Sequence, residues 1–139
     1  MGLMTVAKAL DYSRNIPAIK MFYLAGQEAL IVSHAQTLGL TSVKTNGDYG
    51  ASLALGTAEV RAIDIMQAYS VFANNGVKRD VTGILKIEDT NGNTLESHEV
   101  NPGTEVFSPA ASYITAKILS DVNSRPASDF WRGALALAG

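Results

Sequence analysis

A serine and an asparagine lie just before a proline in the segment Ser13-Arg14-Asn15-Ile16-Pro17. A hydroxyl and a carboxamide can pass a proton or bind a polar group of a substrate. Because proline fixes its own φ and disfavours a helical conformation in the preceding residue, the chain is predicted to become helical at Pro17. Ser13 and Asn15 then lie on a bend, where either could instead cap the helix and contribute about 1 kcal/mol. Spacing alone leaves the catalytic and the capping interpretation open.

Other residue types with chemical potential are few. The sequence contains no cysteine, which excludes thiol catalysis, disulfides and cysteine-based metal sites. His34 and His98 are the only histidines, and we predict one on a helix and the other on a hairpin strand. No carboxylates can be placed beside either, so we expect no metal site, and nothing supports a Ser-His-Asp triad. Gly47 and Gly50 do not form a phosphate-binding loop, and we expect no cofactor.

Two helices are predicted to position this segment. Apolar residues at helical spacing predict an amphipathic helix over residues 3–11, which delivers Ser13 to the bend. After Pro17, residues 19–24 are apolar on nearly every side of a helix, which indicates burial on several faces. The bend is therefore expected between one helix end and one helix start.

A third helix is predicted from about Gln27, closed by Gly39 in a left-handed conformation. Residues 40–52 are rich in Thr, Ser, Asn, Asp and Gly, and we interpret them as a loop. The tetrapeptide Lys44-Thr45-Asn46-Gly47 lies in this loop.

The second half of the chain contains the strongest helical pattern, over roughly residues 62–74, ended by Asn75-Gly76. A β-hairpin is predicted at about 81–100, because Asn-Gly at its centre suits turns with positive φ. Ser108 and the following proline open the last clear helix. Residues 129–139 are predicted to form a short helix or strand.

Length and composition limit the possible classes of protein. The 139 residues suffice for one domain, and 47% of them are hydrophobic, as in ordinary globular proteins. The net charge is -2 with acids and bases interspersed, so nucleic acid is not an expected partner. No apolar run reaches the roughly 20 residues of a membrane helix, and no signal-peptide pattern begins the chain.

Three segments together resemble a known family. Residues 13–20 (SRNIPAIK) closely resemble the segment around the Ser-x-Asn motif in the transpeptidase domain of bifunctional (class A) penicillin-binding proteins. Residues 53–60 (LALGTAEV) with 63–76 are similar to the stretch that those domains carry shortly downstream. Residues 106–122 are similar to the next helix of the family. The three matches follow the family's order and cover most of the chain.

The resemblance implies roles for two residues. Penicillin-recognising acyltransferases use a Ser-x-x-Lys nucleophile, a Ser-x-Asn element and a Lys-Thr-Gly strand. By resemblance, Ser13 is the serine that relays a proton to the leaving group, and Asn15 binds the amide of the substrate.

No serine in this sequence is followed three residues later by lysine, so the nucleophile motif is absent. Thr5-x-x-Lys8 and Thr41-x-x-Lys44 have the spacing with the wrong hydroxyl, and we interpret both as coincidences. By family order the nucleophile is expected before residue 1, and Lys-Thr-Gly after Gly139. The sequence is thus expected to be an internal part of a transpeptidase domain.

The expected fold is mainly α with one β-hairpin, the helical part of the α/β penicillin-binding protein transpeptidase (β-lactamase-like) fold, with residues 1–139 forming one partial domain. The expected function is that of part of a peptidoglycan D,D-transpeptidase, inactive alone, whose intact parent binds stem peptides and β-lactams on the extracytoplasmic face of a bacterial membrane. The alternative is a non-catalytic interaction module of the same fold. Helix faces that lack their sheet are expected to drive formation of a homo-oligomer.

Overall fold

The computed structural model describes residues 2–126, so the predicted element at 129–139 lies outside the described residues. Within this range the chain forms helices, short strands and two 3-10 turns. The α-helices are α1 (Val6–Asp11), α2 (Asn15–Leu24), α3 (Gln27–Thr37), α4 (Ala62–Ala73) and α5 (Pro109–Ser120). The strands are β1 (Val77–Lys78), β2 (Lys86–Glu88), β3 (Thr94–Ser97) and β4 (Thr104–Glu105), and the 3-10 helices are Gly50–Leu55 and Val122–Ser124.

The prediction of a mainly α fold with a hairpin is confirmed. Strands β2 and β3 pair antiparallel inside the predicted range 81–100. A second antiparallel pair, β1 with β4, joins the two ends of the hairpin segment and was not predicted. All strands of the described range 2–126 lie between Val77 and Glu105. No helix in this range is long and apolar enough to cross a membrane.

The predicted ends of two helices are confirmed. Gly39 follows α3 with φ of 100°, and the N–H groups of Gly39 and Leu40 donate to carbonyls of the last helical turn. Asn75 and Gly76 follow α4 with φ of 53° and 90°. Left-handed residues let the chain reverse while the last carbonyls of the helix keep hydrogen-bond partners.

The predicted start of α2 is wrong by two residues. The helix begins at Asn15, and Pro17 is its third residue rather than its first. A helix leaves its first N–H groups without intrahelical partners, so a proline in the first turn forfeits no hydrogen bond. The bias that proline places on the preceding residue is therefore overridden here at Ile16.

The prediction of a loop over residues 40–52 is wrong for its last three residues. Residues 50–55 form a 3-10 helix, which packs against α2 and α3. The Glu28 carboxylate on α3 accepts the backbone N–H of Tyr49 at 3.2 Å and of Gly50 at 2.8 Å, which satisfies the start of this helix. A charge on one helix thereby fixes a segment more than twenty residues away.

The core is small. Its buried apolar residues include Phe22, Val32, Ala68 and Val71, contributed mainly by α2, α3 and α4. Helix α4 packs on α5 and β1, and the Phe72 ring stacks on Phe107 at 5.7 Å between centroids. Many large apolar side chains remain exposed, among them Leu24 (78% exposed), Ile16 (69%) and Met66 (67%).

An ion pair marks the start of α4. The Arg61 guanidinium donates two hydrogen bonds of 2.8 Å to the Asp64 carboxylate, which is buried although Arg61 is exposed. The hydrogen bonds and then the charge of Asp64 raise the pKa of Arg61 above its usual range. No side chain caps this helix, so the two-pronged pair is the polar anchor at its first turn.

The turn of the hairpin depends on Asp89. Its carboxylate accepts hydrogen bonds from the backbone N–H groups of Asn91 and Asn93 and from the Asn93 side chain, each of 2.8 Å. Gly92 has φ of 83°, as the Asn-Gly pattern predicted. These donors, the Asn93 side chain first, hold the pKa of Asp89 below its usual range.

We expect the hairpin to loosen in acid. Because the pKa of Asp89 is lower in the folded state than in the unfolded chain, its stabilising contribution is complete above the unfolded value of about 3.9 and is lost as pH falls through the folded value. The amide-exchange protection factors of residues 86–97 should therefore decrease as the pH is lowered below about 3.9. Asp89→Ala should lower them at neutral pH and remove the acid step, whereas Asp80→Ala, an exposed control, should change neither. Equal effects of the two substitutions would contradict the role of Asp89.

Candidate functional site

Ser13 ends α1 in a left-handed conformation. Its φ is 49°, its N–H donates to Leu10 O at 2.9 Å, and the N–H of Arg14 donates to Ala9 O at 3.0 Å. These two bonds define a Schellman motif with Ser13 at the position that glycine usually occupies. The motif fixes the backbone of Ser13 at the point where the chain turns from α1 into α2.

The same position after α3 holds Gly39, and after α4 it holds Asn75. Glycine and asparagine adopt left-handed φ readily, whereas an ordinary side chain loses roughly 1–2 kcal/mol there. Serine at this position is thus a local conflict between residue type and backbone conformation. Such strain concentrates at functional sites, where a side chain is retained for its chemistry.

Ser13 is exposed, and within the described range its hydroxyl neither donates nor accepts a hydrogen bond. The adjacent Tyr12 ring lies 5.3 Å from the Lys8 ammonium and 5.6 Å from the Arg14 guanidinium. Tyr12 and Lys8 also line an open depression of about 350 Å³ together with Asp11 and residues 123–124. Ser13 is therefore exposed next to an aromatic ring that two positive charges contact.

The sequence interpretation did not place Lys8, Tyr12 or Arg14 at the site. The contact between Lys8 and Tyr12 could have been predicted from the sequence, because residues four apart meet on a helix surface. The second contact depends on the turn at Ser13, which brings Arg14 back towards the ring that precedes it. Two cations at one aromatic ring favour anionic groups in their vicinity.

Asn15 is the first residue of α2 and its side chain is exposed. Arg14 occupies the capping position, and no side chain provides a cap hydrogen bond to this helix. By contrast, Thr5 caps α1 and Ser108 caps α5 through their hydroxyls. The capping interpretation of Ser13 and Asn15 is therefore wrong, and both side chains are left available at one helix junction.

Neither Thr-x-x-Lys sequence forms a nucleophile. The Thr5 hydroxyl accepts the Lys8 backbone N–H at 3.2 Å, so this spacing is that of a helix cap. The Lys44 ammonium donates to the Thr41 carbonyl and not to its hydroxyl. Residues 44–47 form a turn closed by a 3.1 Å bond from Gly47 N–H to Lys44 O, which differs from a Lys-Thr-Gly strand.

The two histidines lie on different elements of the described structure. His34 lies on α3 with its ring 6.4 Å from Phe107, and His98 directly follows β3. Within residues 2–126, no group of three His, Asp or Glu side chains is arranged to bind a metal ion.

The mainly α fold agrees with the family to which the sequence is similar. A family model described as the penicillin-binding protein transpeptidase domain matches residues 1–136. The chain therefore belongs to the penicillin-binding protein transpeptidase family, and the resemblance based on the three segments is confirmed.

Curated relatives include penicillin-binding protein 2D of Bacillus subtilis, 33% identical over 84% of this chain and 16% of the relative. Penicillin-binding protein 1A of Aquifex aeolicus is 36% identical over 78% of the chain and 15% of the relative. Penicillin-binding protein 1A of Clostridium perfringens is 30% identical over 99% of the chain and 21% of the relative. The chain thus spans between 15% and 21% of the length of these bacterial proteins.

The strain at Ser13 leads to a stability prediction. Ser13→Gly removes the cost of a left-handed side chain and should raise the free energy of unfolding by about 1 kcal/mol. Ser13→Ala keeps the Cβ and should give no such gain. Thermal or urea unfolding of the three proteins measures the difference, and Gly39→Ala, at the matching position of α3, should lower stability. A Ser13→Gly protein no more stable than Ser13→Ala would mean that Ser13 is unstrained.

Proposed function

We propose that this chain forms the helical part of a peptidoglycan D,D-transpeptidase domain in which Ser13 relays a proton and Asn15 binds the amide of the stem peptide. The observation that carries the proposal is a pair of exposed side chains without hydrogen-bond partners among residues 2–126, held at a strained helix junction in a segment that matches the family. The intact parent would act outside the cytoplasmic membrane and would be acylated by β-lactams. Residues 1–139 would form one partial domain of it.

The local geometry suits a proton relay. A serine hydroxyl has one proton to donate and lone pairs to accept another, so it can pass a proton without becoming charged. The backbone of Ser13 is held by two hydrogen bonds, which limits the motion of its side chain to rotation about χ1. The absence of a hydrogen-bond partner in the described range leaves the hydroxyl available to a lysine amine and to the leaving group.

The Asn15 carboxamide offers a carbonyl acceptor and two N–H donors. A substrate amide needs one acceptor and one donor, so Asn15 can bind it through two complementary hydrogen bonds. The first turn of α2 keeps Asn15 at a fixed separation from Ser13, because only Arg14 lies between them. Both groups can therefore act on one substrate.

A second candidate is a non-catalytic interaction module that retains this fold. The 139 residues contain no Ser-x-x-Lys motif. The coding sequence around this segment separates the two candidates. Flanking Ser-x-x-Lys and Lys-Thr-Gly codons would support the transpeptidase, and stop codons at both ends would support the module.

This chain alone should form no acyl-enzyme with a β-lactam. Covalent catalysis needs an activated nucleophile, and Ser13 has no lysine three residues after it. After incubation with a fluorescent penicillin and denaturation, mass spectrometry should show the unmodified mass. Penicillin-binding protein 2D of Bacillus subtilis is the positive control. A stoichiometric adduct that disappears in Ser13→Ala would show that Ser13 is itself a nucleophile.

A chimera tests the relay directly. Residues 1–136 would replace the matching transpeptidase segment of the Bacillus subtilis protein, and the chimera should be labelled by penicillin. Ser13→Ala in the chimera should slow acylation by roughly 10²-fold, the usual contribution of a general acid–base group. Asn15→Ala should chiefly raise the penicillin concentration at half-maximal rate.

The matched control is Ser33→Ala, which removes another exposed hydroxyl, on α3. Thermal unfolding of each chimera verifies that it is folded before rates are compared. Equal acylation rates of the folded Ser13→Ala and Ser33→Ala chimeras would exclude the relay role.

A further inference from the structure

The outer edge of strand β2 has a defined hydrogen-bonding pattern. The N–H of His98 donates to Leu85 O at 2.9 Å, and the N–H of Asp89 donates to Asn93 O at 2.9 Å. In an antiparallel ladder, residues alternate between those that bond to the neighbouring strand and those whose backbone groups point away from it. The backbone groups of Leu85 and Asp89 form hydrogen bonds with β3, so by alternation those of Ile87 do as well. The backbone groups of residues 86 and 88 then point away from β3.

Those two residues are Lys86 and Glu88. They stand opposite Ser97 and Thr94 of β3, and the register shift between Ile87 and Glu88 places one extra residue in β3. The alternation along β2 therefore continues across the shift, and Lys86 and Glu88 exchange no backbone bonds with β3. None of the loop or turn hydrogen bonds of the described residues involves the backbone of Lys86 or Glu88. β3 is also the only described element that packs closely on β2. The edge therefore presents two N–H and two C=O groups without protein partners in residues 2–126.

The side chains of β2 divide the hairpin into two different faces. Lys86 and Glu88 lie on one face, where their charged groups form an ion pair of 2.6 Å with both side chains about half exposed. Leu85 and Ile87 lie on the other face, exposed by 70% and 37%. An open strand edge with exposed apolar side chains is a template for another strand.

We propose that a second copy of this chain pairs antiparallel along this edge, about a two-fold axis that passes through Ile87. In this register Lys86 of one copy stands opposite Glu88 of the other, and each of the two pairs exchanges both backbone bonds. The opposite charges face each other across the interface. Ile87 meets Ile87 of the second copy on the apolar face.

The charges select this register over its neighbours. An axis at Lys86 would place the two lysines opposite each other, and an axis at Glu88 would place the two glutamates opposite each other. Like charges directly opposite are destabilising. The edge is thus complementary to itself in one antiparallel register only.

This surface differs from the helix faces that the sequence predicted to drive association. Pairing of two three-residue strands buries less than a standard interface, so the contact belongs to the weak class. Disulfide cross-linking at the hairpin is therefore a better test than a measurement of overall mass. Because the chain contains no cysteine, one introduced cysteine can form a disulfide only with its copy in a second chain.

The test compares two single-cysteine variants of the full chain. In the proposed register the Cα atoms of the two copies of residue 87 are about 4.5 Å apart, within the range that a disulfide spans. Those of residue 85 are about 13 Å apart along the strands, beyond that range. With oxidised glutathione as oxidant, Ile87→Cys should form covalent dimers at least about tenfold faster than Leu85→Cys, although residue 85 is the more exposed.

Charge exchange provides the second arm. In the Ile87→Cys protein, adding Lys86→Glu places like charges across the axis and should slow dimer formation by about tenfold. Adding Glu88→Lys as well restores opposite charges and should restore the rate. Lys117→Glu, on exposed α5 surface, is the control for net charge and should leave the rate unchanged. Equal rates for the two cysteine positions, or a Lys86→Glu effect that the exchange does not reverse, would overturn the proposal.

Discussion

The junction between α1 and α2 depends on one backbone conformation, the left-handed turn at Ser13. This conformation satisfies two carbonyls of α1 and at the same time aims the chain into α2. It also brings Arg14 to the same aromatic ring as Lys8. A glycine would adopt this turn without strain, so the serine side chain carries a cost in stability. The position of both candidate site residues follows from this turn.

Elsewhere charged side chains satisfy the backbone where regular structure begins or turns. Glu28 binds the start of a 3-10 helix, and Asp89 binds the donors of the hairpin turn. Arg61 neutralises the buried Asp64 at the first turn of α4. These carboxylates serve the architecture, since each is occupied by two or more donors. Ser13, with no partner in the described range, differs from all of them.

Residues 2–126 have a small core and much exposed apolar surface. Few of their apolar side chains are buried, whereas α2 and the hairpin expose side chains such as Leu24 and Leu85. Large exposed apolar surfaces in soluble proteins usually have a partner. The matched parts make up only 15% to 21% of the lengths of these relatives.

Local signals in the sequence determined the family, the approximate positions of the α-helices and the C-terminal ends of α3 and α4. Gly39 and the Asn75-Gly76 pair predicted helix termination because left-handed φ is a property of the residue type itself. Only the tertiary structure decided the contacts between segments distant in the chain, since loop closure and packing have no local signature. The start of α2 belongs to this second group, because the strained turn before it overrides the preference of proline. Three features could be recognised only in the tertiary structure: the Glu28 contact with residues 49–50, the pairing of β1 with β4, and the open edge of β2.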